Sequence, residues 1–247
     1  MDKEILEKIK ENTSSRPTYQ IVLTGVGSRL EAHFTPPIEF KCRHELALAS
    51  LETYRSFPNI DSSNNEIRVL INGTWEKIIF PTGSYDITDL NTELQRQIVE
   101  KGGKKSAVNI SPNLNTLKCI LKIVEAEVDL RGNNSIRSVL GFESKIYRAG
   151  RFESKDPVNI MKVNSILVHC NVIGQSYLNG SQQPIIYSFF PNVLVGEKIV
   201  ENPNVLIYLP VNLDAIPRLT AQLTDQDQKP LDLRGEKLTI KFHIRAC

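Results

Sequence analysis

The sharpest pattern in the chain is a two-residue alternation from Lys237 to Ile244. Leu238, Ile240, Phe242 and Ile244 alternate there with Lys237, Thr239, Lys241 and His243. A strand of this kind has one apolar face, which is stable only against a second sheet. The same texture opens at Tyr19. Tyr19–Thr24 reads as a strand, Gly25-Val-Gly27-Ser as a turn, and Leu30–Phe34 as a returning strand broken at Pro36-Pro37. Ile38–Phe40 is a short extended piece. Glu45–Tyr54 carries both periods, and the flanking β texture decides for a strand. Ile67–Ile71 and Trp75–Phe80 meet at Asn72-Gly73, the residues a type I′ turn demands, and so predict a hairpin. Leu90, Leu94 and Ile98 share a helical face, with Asp86 or Thr88 as N-cap and Lys101-Gly102-Gly103 as the stop.

Further strands are predicted at Val108–Ile110, Leu117–Val124 and, briefly, Val128–Leu130, and one or two helical turns over Asn134–Leu140 end at Gly141. Val158–Met161, Ser165–Ile173, Pro184–Phe190, Val205–Leu209 and Arg218–Thr224 complete the β set before the final strand. Many short strands punctuated by Gly, Pro, Asn and Asp describe a sandwich or barrel. No internal period marks a solenoid or propeller. Ahead of all this, Asp2–Glu11 is helical in pattern, with Ile5, Leu6 and Ile9 on one narrow face, and a linker runs from Asn12 to Pro17. It reads either as an arm that orders against a partner or as a frayed end.

Composition narrows the class. The 247 residues (27.9 kDa) are 40% hydrophobic and 23% charged, which excludes global disorder and collagen-like repeats. Thirty basic residues against 28 acidic ones give a net charge of +2, which speaks against a dedicated, sequence-specific nucleic-acid binder. No apolar run approaches a membrane span, and the first residues have no apolar segment of the secretory kind. With no secretory signal read, the N-x-S/T triplets at Asn12, Asn72, Asn109, Asn133 and Asn179 reflect turn composition. Cys42, Cys119, Cys170 and Cys247 stand far apart, with no C-x-x-C pair, so free thiols in a reducing compartment are expected. Cys119 and Cys170 sit in apolar runs and read as small core residues.

No catalytic constellation emerges. His33, His44, His169 and His243 are scattered over β segments, and no G-x-S-x-G elbow is present. Cys42 and His44 fall two apart and would face one side of a strand, but nothing nearby completes a metal set. Gly25-Val-Gly27 lacks the third glycine and the helix of a dinucleotide fingerprint. Gly102-Gly103-Lys104-Lys105 follows a helix, the wrong dipole end for phosphate. Asp225-Gln-Asp227 lacks the glycine and distal glutamate of a calcium loop. The expectation is no enzyme, no metal and no cofactor, with binding or assembly as the role.

Several segments together resemble a known family. They are Leu51–Ile60 (LETYRSFPNI), Phe80–Ile87 (FPTGSYDI), Asn134–Phe142 (NSIRSVLGF), Pro157–Ser165 (PVNIMKVNS), Gly174–Gly180 (GQSYLNG), Tyr208–Val211 (YLPV) and Asp225–Glu236 (DQDQKPLDLRGE), ahead of a β run ending His243-Ile-Arg245. Over about residues 12 to 245, the order and texture resemble the minor capsid (penton) protein of Polinton/Maverick elements and adintoviruses. The resemblance implies a mainly β fold: a single jelly roll over residues 17–247, with an α/β insertion at about 64–145 and an arm over residues 1–16. Two consecutive β domains split near Gly150 are the other parse. It further implies a homopentamer at the vertices of an icosahedral shell, beside the major capsid protein of the same element. The location implied is the virion, after synthesis in the host cytoplasm and assembly in the nucleus. Ile5, Leu6, Ile9 and Arg16 are the expected assembly-arm residues. A receptor- or carbohydrate-binding β-sandwich attachment module is the alternative function.

Overall fold

The computed structural model describes residues 18–247; the arm residues Ile5, Leu6, Ile9 and Arg16 lie outside them. In chain order the first strands are β1 (Thr18–Val26), β2 (Arg29–Glu39) and β3 (His44–Tyr54). Next come β4 (Glu66–Ile71), β5 (Thr74–Ile79), helix α1 (Ile87–Glu100), β6 (Val108–Asn113) and β7 (Lys118–Ile123). β8 (Val128–Asp129), the short helix α2 (Arg137–Leu140), β9 (Ile146–Tyr147) and β10 (Gly150–Glu153) follow. The chain continues with β11 (Ile166–Cys170), β12 (Tyr177–Leu178), β13 (Ser181–Gln182), β14 (Ile185–Phe189) and β15 (Lys198–Glu201). It ends with β16 (Leu209–Pro210), β17 (Ala215–Thr224) and β18 (Lys237–Ala246).

The chain divides into two compact units, one of them Phe57–Lys162 and the other the described residues up to Ser56 joined with Val163–Cys247. The second is discontinuous, so the parse into consecutive domains split near Gly150 is not the one the structure adopts. The inserted unit is also wider than the 64–145 expected, because its last residues return to its first. Asn59 donates its side-chain amide to Ile160 O at 3.2 Å, and Lys162 Nζ meets Asp61 Oδ2 at 2.7 Å.

The discontinuous unit is a jelly roll, and its strand pairing shows why. Its main strands in chain order are β1, β2, β3, β11, β14, β15, β17 and β18. They form two sheets, β1-β18-β3-β15 and β14-β11-β17-β2. The first pairs with the last, the second with the last but one, and so inward to β11 with β14, every pair antiparallel. This nesting is a hairpin rolled up on itself, which is what two Greek keys in a jelly roll amount to. The alternation of β18 is resolved as its pattern requires: Leu238, Ile240, Phe242 and Ile244 are fully buried, and Ile21 and Leu23 of β1 point inward beside them. In β3, which pairs along the other side of β18, a register shift between Lys241 and Phe242 inserts one extra residue. That bulge is the reason its sequence carries two periods at once.

Three readings are corrected. Pro36-Pro37 does not break the second strand. β2 runs through both prolines, because it lies at a sheet edge where no ladder partner needs their missing N–H groups. Val158–Met161 is not a strand: the Val158 N–H bonds to Leu117 O and the Asn159 N–H to Val139 O, separate elements rather than one ladder. Val205–Leu209 is not one either. Only Leu209-Pro210 pairs with β3, and Val205 and Ile207 are apolar but exposed.

The inserted unit has its own core. The β4–β5 hairpin turns on Asn72 (φ 50°) and Gly73 (φ 81°), as the type I′ reading predicts, and extends through β8 to β9. Strands β10, β7 and β6 make a second sheet. Ile87, Leu90, Leu94 and Ile98 of α1 join residues of both sheets in one buried cluster. Asp86 caps α1: its carboxylate accepts the Asp89 N–H at 2.7 Å while the Asp89 carboxylate accepts the Asp86 N–H. Gly141 ends α2 at φ +77°, where a Cβ would also collide with the backbone of Asp156.

Two outcomes are expected. Phe242→Ala loses about 3–5 kcal/mol through lost burial and a cavity. Thr239→Ala, on the outer face, changes stability by about 0.5 kcal/mol or less. Urea denaturation of both variants measures the contrast, and equal small effects would remove β18 from the core. The second outcome concerns Asp61, whose carboxyl is held at about 2. Burial alone would raise it, and hydrogen bonds from Lys162 and Ser63 override that. A carboxyl depressed by folding stabilises fully above its unfolded value and loses that contribution as pH falls through the folded one. Asp61→Asn is therefore expected to be less stable than the parent at about pH 7, with the gap closing between about pH 4 and pH 2. Denaturation midpoints across that range test it.

Candidate assembly surfaces

The groups that could do chemistry come first. His33 Nε2 meets Glu31 Oε1 at 2.8 Å on an exposed strand. His169 Nε2 lies 2.8 Å from Thr224 Oγ1, and burial pushes its pKa below the ordinary value. His243 Nδ1 lies 2.7 Å from the Tyr208 hydroxyl. His44 stacks on Phe40 at 4.2 Å and donates from Nδ1 to Cys42 O at 2.8 Å. Cys42 Sγ lies 4.0 Å from that nitrogen, so the pair is close, as its spacing implies, but the nitrogen's proton is committed to the carbonyl. Among the described residues no group of three or more His, Cys, Asp or Glu could hold a metal ion.

The remaining motif candidates are structural. The Asp225 carboxylate accepts the N–H groups of Asp227 and Lys229, closing a turn. Gly102 accepts the Asn72 side-chain amide behind the C-terminus of α1. Cys119 and Cys170 are buried, and burial pushes both thiols up to about 12. Among the described residues no helix is long and apolar enough to cross a membrane.

The surfaces are more distinctive. On the outer face of the β1-β18-β3-β15 sheet, Thr24 and Thr239 hydroxyls meet at 3.1 Å and Arg245 bonds Glu45 at 3.0 Å. Arg245 also lies 3.6 Å above the Tyr208 ring, and Lys198 pairs with Glu52. On the outer face of the other sheet, Arg29, His169, Asn171, Arg218 and Thr220 line a shallow polar hollow of about 370 Å³. A wider open cleft of about 1030 Å³ lies along Phe40–Glu45 and Tyr208–Asp214 and includes Cys42 and Cys247.

Exposed large apolar side chains are unevenly spread. Leu194 (71%), Val195, Val200 (52%), Val205 (75%) and Ile207 fall in one stretch of sequence around β15, with Val200 on that edge strand itself. Val22 (52%) and Val26 stand on β1, its opposite edge. In the inserted unit Trp75 and Ile79 are exposed on the edge strand β5. The Gln97 side chain already accepts the Ile79 N–H at 3.3 Å and donates to the Ile79 carbonyl at 2.7 Å. Sequence reasoning missed the apolar edge around β15 because an apolar run reads as core whether or not anything covers it.

No family model matches the chain, and no curated protein matches it. Among solved structures the mavirus penton protein is similar, with a TM-score of 0.50 at 10% identity, over 94% of this chain and 100% of that one. At that identity the likeness shows the fold, a penton-like jelly roll.

Thiol chemistry follows from the burial. Under native conditions at about pH 8, Cys42 and Cys247 are expected to react with a chromogenic disulfide and Cys119 and Cys170 to resist it, all four reacting in denaturant. Fast native labelling of Cys119 or Cys170 would contradict the packing around them.

Proposed function

We propose that this chain is a minor capsid protein of the penton kind, forming the five-fold vertices of an icosahedral particle encoded by a Polinton/Maverick-type element or an adintovirus-like virus. The observation that supports it most is the nested eight-strand roll, taken with a likeness to the mavirus penton protein that runs the full length of that protein. The role is structural rather than enzymatic. The histidines and cysteines that could have carried chemistry are engaged in the fold, scattered, or too few to form a site. In this reading the chain is a homopentamer that contacts the major capsid protein of the same element. It resides in the virion, after synthesis in the cytoplasm and assembly in the nucleus. The segment Met1–Arg16, with Ile5, Leu6 and Ile9, serves as an arm docked on a neighbour.

Native mass spectrometry across a wide concentration range tests the ring, with a pentamer expected and only monomers overturning it. Removing residues 1–16 is expected to leave the melting temperature nearly unchanged and to impair particle assembly. Unfolding on deletion would make the arm part of the core.

A further inference from the structure

An edge strand presents a row of unpaired N–H and C=O groups, and proteins blunt such edges with charges, prolines, bulges or brevity. The two edges of the other sheet, β2 and β14, are blunted in these ways. β2 carries Pro36, Pro37 and the charges of Arg29, Glu31 and Glu39. β14 is five residues long, lies between Pro184 and Pro191, and is paired with a register shift. β15, the far edge of the first sheet, is short, but between its end charges it exposes Val200.

β1 has no such device within its length, and in the sequence a single proline, Pro17, precedes it. Its nine residues, TYQIVLTGV, include no charge and no proline, and the register with β18 runs unbroken from Thr18↔Arg245 to Val26↔Lys237. Its outward row can be identified. The Gly27 N–H bonds to Glu236 O at 3.2 Å, and bonds in an antiparallel ladder serve alternate residues. Gly25, Leu23, Ile21 and Tyr19 therefore bond β18, while Val26, Thr24, Val22 and Gln20 turn their backbone groups to the side on which no described strand pairs. The close approach of the Thr24 and Thr239 hydroxyls at 3.1 Å agrees, since side chains come nearer in the non-bonded pairs.

We infer that β1 is the acceptor edge for a second copy of this chain, which adds the β15 edge of its own roll to it. The partner's identity rests on the capsomer reading. The two edges lie at opposite ends of one sheet. Each carries exposed apolar residues, Val22 and Val26 on β1 and Val200 on β15, with exposed Val205 and Ile207 in the segment that follows β15. Two different patches on opposite edges make a head-to-tail contact, the only kind that closes into a ring of more than two copies. Strand addition supplies main-chain bonds, and the apolar strips supply burial.

Val22→Pro removes one outward N–H without touching a bond to β18, and Val22→Thr keeps it. In native mass spectrometry and sizing, Val22→Pro is expected to raise the concentration for half-assembly roughly tenfold or more. Its isolated chain should melt near the parent temperature, and Val22→Thr should assemble like the parent. A second measurement does not depend on the proline variant folding. With Cys42 and Cys247 replaced by serine, Val22→Cys combined with Val200→Cys is expected to give a cross-linked ladder ending at the ring. Dimers from Val22→Cys alone would mean two β1 edges pair with each other, and rings that neither lose stability with Val22→Pro nor cross-link would overturn the edge while leaving the ring intact. A parent chain that stays monomeric overturns the ring reading and, with it, this partner.

Discussion

The rest of the roll depends on β1 pairing with β18. The pair brings together residues such as Thr24 and Thr239 that are 215 positions apart, and β18 then lies between β1 and β3 with its apolar face fully buried. Without that closure, β18 would have no partner on one side. Every nested pair inside it would also have to form around an open end. Such long-range pairing makes folding slow rather than weak, because closure entropy rises only by about 0.6 kcal/mol for each doubling of the loop. The innermost pair, β11 with β14, closes over a short loop and needs no other strand to be in place. The topology therefore favours growth from that local pair outward, with the terminal strands last.

The same logarithm explains how the roll tolerates an insertion from Phe57 to Lys162 between β3 and β11. A long insertion adds little closure cost when its ends are held together, and these are. Asn59 bonds Ile160, and Asp61 bonds Lys162, each across 101 positions. The inserted residues bury one cluster around α1 and both of their sheets, so they bring their own core and borrow none of the strand order of the roll. The chain between β3 and β11 then behaves as a short connection whose ends are pre-joined.

What could be read from the sequence was whatever depends on neighbours along the chain. The alternation of β18, the Asn72-Gly73 turn, the Asp86 cap and the Gly141 stop each rest on a few adjacent residues, and each stands as expected. What could not be read depends on who sits alongside. Pro36-Pro37 breaks a central strand but not an edge one, and edge position is a property of the sheet. Val205 and Ile207 have strand-like chemistry but no cover, so apolarity there marks surface. The candidate arm residues fall outside the described residues. The β1 edge was invisible for the same reason as the proline error. Its sequence announces a strand, and only the sheet order reveals that one side of it has no partner among the described residues.

If the proposed capsid role holds, function is expressed through such surfaces, and their strength sets how they can work. A main-chain hydrogen bond across an edge contributes roughly 1 kcal/mol net, and the outward row of β1 offers only a few. The ion pairs on the outer sheet face, Lys198 with Glu52 and Arg245 with Glu45, are exposed and screened by solvent, so they add little to the fold. In the proposed ring one copy-to-copy contact of this kind is therefore weak alone, and the apolar residues at the two edges would supply much of what holds it. Ring closure changes the arithmetic, because releasing one copy from a closed ring breaks two contacts at once, whereas an open chain sheds its end by breaking one. Weak contacts also let misjoined copies separate and try again. In the proposed ring, an edge bare of charge set against an exposed apolar strip would keep a capsomer reversible while it assembles and persistent once it has closed.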